Sequence, residues 1–426
     1  MREPFAEIFR RKYGRYAQGG GCRKIALRMG LWCLRYALAP RFRRTSLRSG
    51  GEFLRIAFDL SGSLDDYLVA YNYVAHFFDF LEGAPARMEV FARRDRLEAV
   101  RAILDSEVRD YETGDPPGAY DLYLAVRRFP TVVSYNKRRL ARLAPKLLAL
   151  VAVYRDFLQE HTALAGQPSV CSGLAARYSQ CLGRTRVQMT DIGGMLGIGT
   201  ELRPLPGDAG SGRDANQICE RDNAVLDRLG ITGEFCTLNV DPCAEPCARS
   251  VQREGSPEGL EPLCRGTRCW PLEYYERLVS DPRGPLKGRK IVQIGAVPAP
   301  CVKGVHISLA GRTDASELKT LLRWSALHID GDGWMVHLRN ALGGGPSVVL
   351  FGPTSPECHG YSGNVNLRAA GCGVCGGYCE GTHARWEVRC LKTGGEPECM
   401  ARLEPKMVAE ALDRTEAAGR CRNEIH

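Results

Sequence analysis

The sequence lacks any long apolar run. A membrane-spanning helix needs about 20 mostly apolar residues, and the best candidate, Ile25 to Leu38, is interrupted by Arg28 and Arg35. No uncharged apolar stretch with a small-residue cleavage site stands near the start, so no secretory signal is predicted. The hydrophobic content of 44% and the charged content of 25% are typical of a soluble globular chain. We therefore expect a protein that does not span a membrane.

Net charge is almost absent after the first 48 residues. Those residues hold 13 Lys or Arg against 2 acidic residues, which leaves about −2 of the overall +9 for the rest of the chain. A nearly neutral body argues against nucleic acid as the partner. The basic extension, residues 1–50, is either a solvated segment or a surface that touches an anionic membrane face or another subunit.

No G-x-G-x-x-G motif follows the first strand of either half, which argues against a dinucleotide-dependent dehydrogenase. What is present is an alternation of apolar strands and amphipathic helices. Strands are predicted at Phe53–Asp59, Arg87–Phe91, Tyr120–Val126, Glu234–Asn239, Lys290–Gly295, Ala326–Ile329 and Ser347–Phe351. Helices are predicted at Asp66–Leu81, Leu97–Leu104, Lys137–Glu160, Asn216–Leu229 and Ala315–Ser325. The alternation predicts two doubly wound α/β domains with parallel sheets, residues 51–230 and 231–426.

The most informative stretch runs from Ile329 to Glu357. A strand enters the turn Asp330 to Gly333, a short helix follows, and a triple glycine ends it before the next strand. In open α/β sheets ligands bind beyond the carboxyl ends of the strands, where a helix N-terminus attracts phosphate. This turn and the loop Gly352 to Thr354 therefore predict the floor of a nucleotide site.

The same stretch, with its neighbours, resembles the C-terminal half of the heptosyltransferases, the family 9-like GT-B glycosyltransferases. The matching motifs occur in order: Trp270-Pro271, KIVQIG, Leu309 to Thr313, Asp332-Gly333 with His337 five residues after the aspartate, and SVVLFGPTSPE. In the first half, FLRIAFDLSGSLDDYLVA is similar to the family's first strand and loop. The resemblance implies a GT-B fold, in which two Rossmann-like domains are separated by a cleft. It also implies an inverting enzyme that moves a sugar from a nucleotide diphosphate donor to an acceptor hydroxyl.

The resemblance also implies roles for individual residues. Asp66 stands where the family keeps its catalytic aspartate and is the candidate base; the alternative is that it caps a helix. The family writes this loop Gly-Gly-x-Gly-Asp, whereas Gly62 to Asp66 here holds one glycine. The donor contacts implied by position are Arg268, Arg312, Asp332, Gly333, His337 and Thr354. Arg312 and Thr354 have turn formation as their alternative role.

Ten of the 18 cysteines lie in two clusters, Cys236 to Cys269 and Cys372 to Cys399. In a large α/β protein such clustering suggests metal ligation or thiols kept reduced rather than disulfides, so we expect a cytoplasmic location. The C-x-x-C pair Cys372 and Cys375, with Cys390 and Cys399, supplies four thiolates for a tetrahedral structural site in a finger of residues 371–400. Zinc and iron suit such a site equally. The resemblance to autotransporter heptosyltransferases, which carry cysteine-bound iron, favours iron. The looser set Cys243, Cys247, Cys264 and Cys269 is interpreted as reduced thiols or a loop disulfide.

Substrates and partners follow from the resemblance alone. It implies ADP-heptose as the donor, a Ser or Thr hydroxyl of an autotransporter-type protein as the acceptor, and a homo-oligomer. The altered loop before Asp66 supports an alternative, a catalytically inactive relative that is stapled by its metal and acts as a binding scaffold.

Overall fold

The computed structural model describes residues 43–44, 51–104, 106–126, 129–160, 179, 182–205, 220–242, 266–369, 390, 392–393 and 397–423. They contain two six-stranded sheets. The described chain divides into two compact units, one built on each sheet. The predicted α/β class with two parallel sheets is thereby confirmed. Most of the basic extension and of the finger at residues 371–400 lies outside the described residues.

The first sheet has the order β1-β6-β5-β2-β3-β4. Its strands are β1 (Arg43–Arg44), β2 (Leu54–Leu60), β3 (Ala86–Ala92), β4 (Val108–Asp110), β5 (Leu122–Val126) and β6 (Pro130–Tyr135). The neighbouring pairs are parallel except β5 with β6. Strand β6 was absent from the sequence prediction. Only residues 127–129 separate it from β5, which is too short for a parallel crossover, so the two strands pair antiparallel.

The helices that follow strands of the first sheet in the chain are α1 (Leu64–Leu81), α2 (Leu97–Leu104), α3 (Lys137–Leu143) and α4 (Pro145–Glu160). The single helix predicted from Lys137 to Glu160 was wrong, because Ala144 breaks it at φ −153° and ψ 73°. Proline at position 145 disfavours the helical conformation of the residue before it, whereas its fixed φ suits the first position of a new helix. The break was therefore readable from the sequence.

The second sheet has the order β12-β11-β10-β7-β8-β9, and every neighbouring pair is parallel. Its strands are β7 (Phe235–Asn239), β8 (Lys290–Ile294), β9 (Ile307–Ser308), β10 (Leu327–Gly331), β11 (Ser347–Phe351) and β12 (Val365–Arg368). Its helices are α5 (Glu220–Arg228), α6 (Leu272–Ser280), α7 (Ala315–Trp324), α8 (Trp334–Ala341), α9 (Pro356–His359), α10 (Glu398–Ala401) and α11 (Pro405–Asn423). The predicted strands in this half match within a few residues, whereas β9, β12 and α11 were not predicted.

The two faces of the second sheet differ in chemistry. Residues such as Leu238, Ile329 and Val348 point into an apolar core that includes Trp270 and Leu403. The alternating positions carry buried polar side chains instead, among them Thr237, Asn239, His328 and Asp330. No helix among the described residues is long and apolar enough to cross a membrane.

Candidate functional site

The candidate site lies where the strand order of the second sheet reverses. Strand β7 is followed in the chain by its neighbour β8, whereas β10, on the other side of β7, is followed by β11. The connections from these two strands therefore leave in opposite directions, and this is the switch point where open α/β sheets bind ligands. Asp241 and Pro242 follow β7 here, and Asp332 and Gly333 follow β10.

Two glycines let the loops after β7 and β10 approach each other closely. A Cβ on Gly331 would lie 2.7 Å from the Arg268 carbonyl oxygen and 2.7 Å from Pro242 Cγ. A Cβ on Gly333 would lie 2.5 Å from the Pro242 carbonyl oxygen. Because φ of Gly333 is −157°, an extended value open to any residue, the requirement for glycine there comes from packing. The backbone of the predicted turn is thus held against Pro242.

Asp332 is buried beside Arg268 and two histidines. The Arg268 guanidinium donates to the Asp332 carbonyl oxygen at 2.7 Å, and the Asp332 side chain is only 4% exposed. Burial by itself would raise the pKa of Asp332. The opposing groups outweigh it and lower the pKa below its ordinary value; they are the charges of His359, Arg268 and His337, followed by a hydrogen bond with Thr354. Asp332 is therefore an anion in a predominantly cationic setting.

Two histidines complete the cluster around Asp332. His337, in α8, is 1% exposed, and His359, at the end of α9, is 5% exposed. One ligand-type atom of each histidine and a carboxylate oxygen of Asp332 all lie within 4.8 Å of one another. His337 Nδ1 is hydrogen-bonded to the Tyr361 hydroxyl, and the two rings meet edge to face at 5.4 Å. The pair of rings fixes the direction of the His337 imidazole.

Helix α8 adds a positive dipole end to the same place. Gly333 is its N-cap and makes no side-chain capping bond. The first N–H groups of a helix lack intrahelical acceptors and favour anions. Anionic ligands at this position would meet those groups as well as the side chains around Asp332.

Buried polar side chains of β7 and β10 form a hydrogen-bond network at the start of the turn. Asn239 Nδ2 donates to both Asp330 carboxylate oxygens at 3.1 and 3.2 Å, and His328 Nε2 lies 3.3 Å from the same carboxylate. Thr237 Oγ1 lies 2.9 Å from His328 Nδ1. These bonds tie β7 to β10 just before Asp332, so the two loops at the switch point start from a rigid pair of strands.

Asp66 lies in the first turn of α1, the helix that follows β2. Its carboxylate accepts bonds from the Ser63 N–H at 3.0 Å and the Ser63 hydroxyl at 2.8 Å. Ser63 immediately precedes the helix, so this is the reciprocal bond of a capping box. Gly62, with φ 132°, has a backbone conformation that favours glycine. The capping alternative raised by the sequence is therefore present in the structure, and the catalytic role of Asp66 stays a prediction.

Of the predicted donor contacts, the structure brings together Arg268, Asp332, Gly333, His337 and Thr354. Thr354 is 1% exposed and lies in the loop after β11. Arg312 is different: it is exposed and donates to the Ser308 carbonyl oxygen at 3.4 Å, after a Gly311 at φ 70°. This geometry matches its alternative role in the turn, and within the described residues no contact links Arg312 to Asp332.

Two of the four predicted metal ligands fall on described residues. Cys390 and Cys399 are buried, whereas Cys372 and Cys375 lie outside the described residues. A Cβ on Gly352 would lie 3.1 Å from Cys399 Sγ, so Cys399 packs against the loop that carries Thr354. Two buried thiols suit a metal site but do not define one, and the four-cysteine site stays a prediction. Of the second set, Cys269 alone is described; it is buried near Asp241.

Sequence reasoning missed His359, Tyr361 and Pro242. His359 and Tyr361 follow β11 closely in the chain, and parallel strands bring the loops after β10 and β11 to the same edge of the sheet. That rule, applied to the residues after Ser347–Phe351, would have suggested His359. The role of Pro242 depends on a close approach of two backbones, for which the sequence carries no signal beyond the glycines.

No protein-family model matches the chain, and no curated protein matches it in sequence. The solved structures that are similar to this chain include heptosyltransferases and another glycosyltransferase. The ADP-heptose lipopolysaccharide heptosyltransferase II of E. coli is 12% identical with a TM-score of 0.45, over 85% of this chain and 98% of that chain. A family 9 glycosyltransferase from Veillonella parvula is 15% identical with a TM-score of 0.43, over 85% and 96%. TibC of enterotoxigenic E. coli, an iron-containing dodecameric glycosyltransferase, is 12% identical with a TM-score of 0.49, over 89% and 78%.

Proposed function

We propose that this protein is an inverting glycosyltransferase whose second unit binds a nucleotide diphosphate sugar. The observation that carries the proposal is the cluster of Asp332, His337, His359 and Arg268 at the switch point of the second sheet, next to the N-terminus of α8. A diphosphate needs several positive or dipolar donors in one place. A sugar needs acceptors for its hydroxyl groups, and the Asp332 carboxylate is one.

The proposed reaction is a single displacement at the anomeric carbon. The acceptor hydroxyl oxygen forms a bond to that carbon as the bond from the carbon to the diphosphate oxygen breaks. Asp66 takes the proton of the hydroxyl, and the leaving diphosphate takes the electron pair of the broken bond. Arg268, the histidines and the first N–H groups of α8 stabilise the negative charge that develops on the diphosphate.

The finer assignments rest on the sequence resemblance. They are ADP-heptose as the donor, a Ser or Thr hydroxyl of an autotransporter-type protein as the acceptor, and a homo-oligomer. The proposed cytoplasmic location rests instead on the clustering of the cysteines. The proposed iron would be held by Cys372, Cys375, Cys390 and Cys399 and would fix the finger against the loop after β11. Iron in freshly purified protein, at one atom per chain, would support that site; the absence of both iron and zinc would end it.

A second function, an inactive scaffold, is favoured by one observation. The Asp66 carboxylate is already engaged by the N–H and the hydroxyl of Ser63, so it has less capacity to accept a substrate proton. In that case the protein would bind a nucleotide sugar without transferring it.

Two experiments separate these readings. Calorimetry with ADP-heptose, ADP-glucose, UDP-glucose and GDP-mannose tests donor binding. A heat of binding for the sugars of one nucleotide that disappears in Asp332→Asn supports the donor site. The absence of binding heat for all four compounds refutes it. Arg283→Met, at an exposed arginine of the same unit, is the matched control, and it should bind as the parent does. Transfer by the parent that is lost in Asp66→Asn, with donor binding intact, supports the enzyme; donor binding without transfer supports the scaffold.

A further inference from the structure

Three side chains of metal-ligand type come together from three different elements. Asp332 follows β10, His337 lies in the second turn of α8, and His359 ends α9. All three are buried, and their ligand atoms all lie within 4.8 Å of one another. Among the residues that the structure describes, no other three histidines, cysteines or acids meet that limit. The grouping depends on the fold, because His359 is separated from His337 by a whole strand.

We propose that Asp332, His337 and His359 bind a divalent transition-metal cation. Two imidazoles and one carboxylate form a ligand set that leaves other coordination positions open, and imidazole favours zinc, iron, cobalt or nickel over magnesium or calcium. Ligand atoms on a tetrahedral ion at about 2.1 Å are roughly 3.4 Å apart. Ligand atoms up to 4.8 Å apart can therefore reach a common ion if side-chain rotation moves them by about 1 Å.

Tyr361 gives the cluster the outer contact that a metal-bound histidine needs. A ligating Nε2 of His337 requires the proton to be on Nδ1, and the Tyr361 hydroxyl oxygen lies at hydrogen-bond distance to accept it. Ligating histidines almost always donate their second N–H in this way, which sets the tautomer and the ring direction. The edge-to-face packing of the two rings holds the imidazole in the same orientation.

The charges around the cluster indicate what fills the open positions. One carboxylate leaves a divalent ion with a net charge of about +1, and the Arg268 guanidinium, bonded to the Asp332 carbonyl oxygen, adds a second positive charge nearby. These two positive charges favour an anion at the open positions. This part of the inference rests on the proposed function, in which the anion is the donor diphosphate, and it predicts that metal and pyrophosphate each tighten the binding of the other.

Cobalt(II) tests the site, because its spectrum distinguishes the ligand types. We expect the full-length protein to bind Co²⁺ with visible bands of a nitrogen and oxygen site, in addition to any thiolate-to-cobalt band from the cysteine finger. Asp332→Asn and His359→Gln should lose the nitrogen and oxygen bands and keep the thiolate band. His76→Gln, a histidine of α1 in the other sheet's unit, is the matched control and should keep both.

Tyr361→Phe is the decisive variant, because it keeps the ring packing and removes only the hydroxyl. It should weaken Co²⁺ binding at this site by about 10- to 100-fold, and its circular dichroism melt reports whether it folds. Unchanged affinity in folded Tyr361→Phe, or a parent spectrum that holds the thiolate band alone, would overturn the proposal. Cobalt binding that persists where calorimetry detects no nucleotide sugar would refute the donor assignment and leave the metal site standing.

Discussion

Replacing Gly333 by alanine tests the packing that positions the whole site. The new Cβ would lie 2.5 Å from the Pro242 carbonyl oxygen and 2.9 Å from Pro242 Cβ. Ordinary van der Waals contact begins at 3.4 Å, so the two loops must separate by about 0.9 Å. Both close atoms belong to a backbone or are fixed directly to it, so no flexible side chain can absorb the change.

The expected cost has two parts. Overpacking of this kind lowers the free energy of unfolding by about 1–3 kcal/mol. A shift of about 1 Å in Asp332 and the start of α8 should also weaken donor binding roughly 10- to 100-fold, which is about 1.4–2.8 kcal/mol. Both effects come from one displacement, so they should appear together.

Urea unfolding and calorimetry with ADP-heptose measure the two parts separately. Gly199→Ala is the control, since nothing lies within 4 Å of its Cβ position and its φ is not in the left-handed region; its unfolding free energy should change by less than about 0.5 kcal/mol. A Gly333→Ala protein with the parent's stability and affinity would refute the reasoning, because the loops could then not be in contact as described.

Three further predictions concern charged and titrating groups of the second unit. Arg339→Met should lower the free energy of unfolding, measured by urea titration, by about 3 kcal/mol or more, because the buried guanidinium donates to the carbonyl oxygens of Leu322, Ser325 and Gly345. A loss of stability no larger than that of the exposed Arg312→Met would contradict this prediction. Arg268→Met should weaken ADP binding by roughly 10-fold or more, because it removes a cation beside Asp332; equal affinity in the variant would exclude Arg268 from the donor site. Burial lowers the pKa of His328 even though Asp330 lies against it. Between about pH 7 and pH 6 the unfolded chain therefore takes up a proton that the folded chain resists. The parent should accordingly lose stability more steeply than His328→Gln as the pH falls. Asp330, whose pKa burial raises, acts in the opposite sense and is kept in both proteins, so equal slopes would show that folding does not lower the pKa of His328.

The elements near the site were largely predictable because each carries a strong local signal. Ser347–Phe351 is a continuous apolar run between glycine-rich loops, and it forms a strand with the same limits. The turn after β10 was recognised from its glycines, and His337 from the resemblance of its motif to that of the heptosyltransferases. These features depend on residues close together in the chain.

What could not be predicted depends on residues far apart. His359 reaches Asp332 only because β10 and β11 are parallel neighbours in register. The antiparallel β6 lies between β1 and β5, yet its Pro130 argues against a strand inside a sheet when only the sequence is considered. For Asp66 the sequence allowed both a base and a cap, and the bonds from Ser63 show that capping occurs without excluding the other role.

The most direct test of the central claim is a crystal structure of the protein soaked with ADP-heptose. The account predicts the diphosphate beyond the carboxyl ends of β7 and β10, with one phosphate at the first N–H groups of α8 and within hydrogen-bond distance of Arg268 or His337. Density for the diphosphate at any other place on the second unit, with Asp332 and the two histidines making no contact with it, would contradict the account.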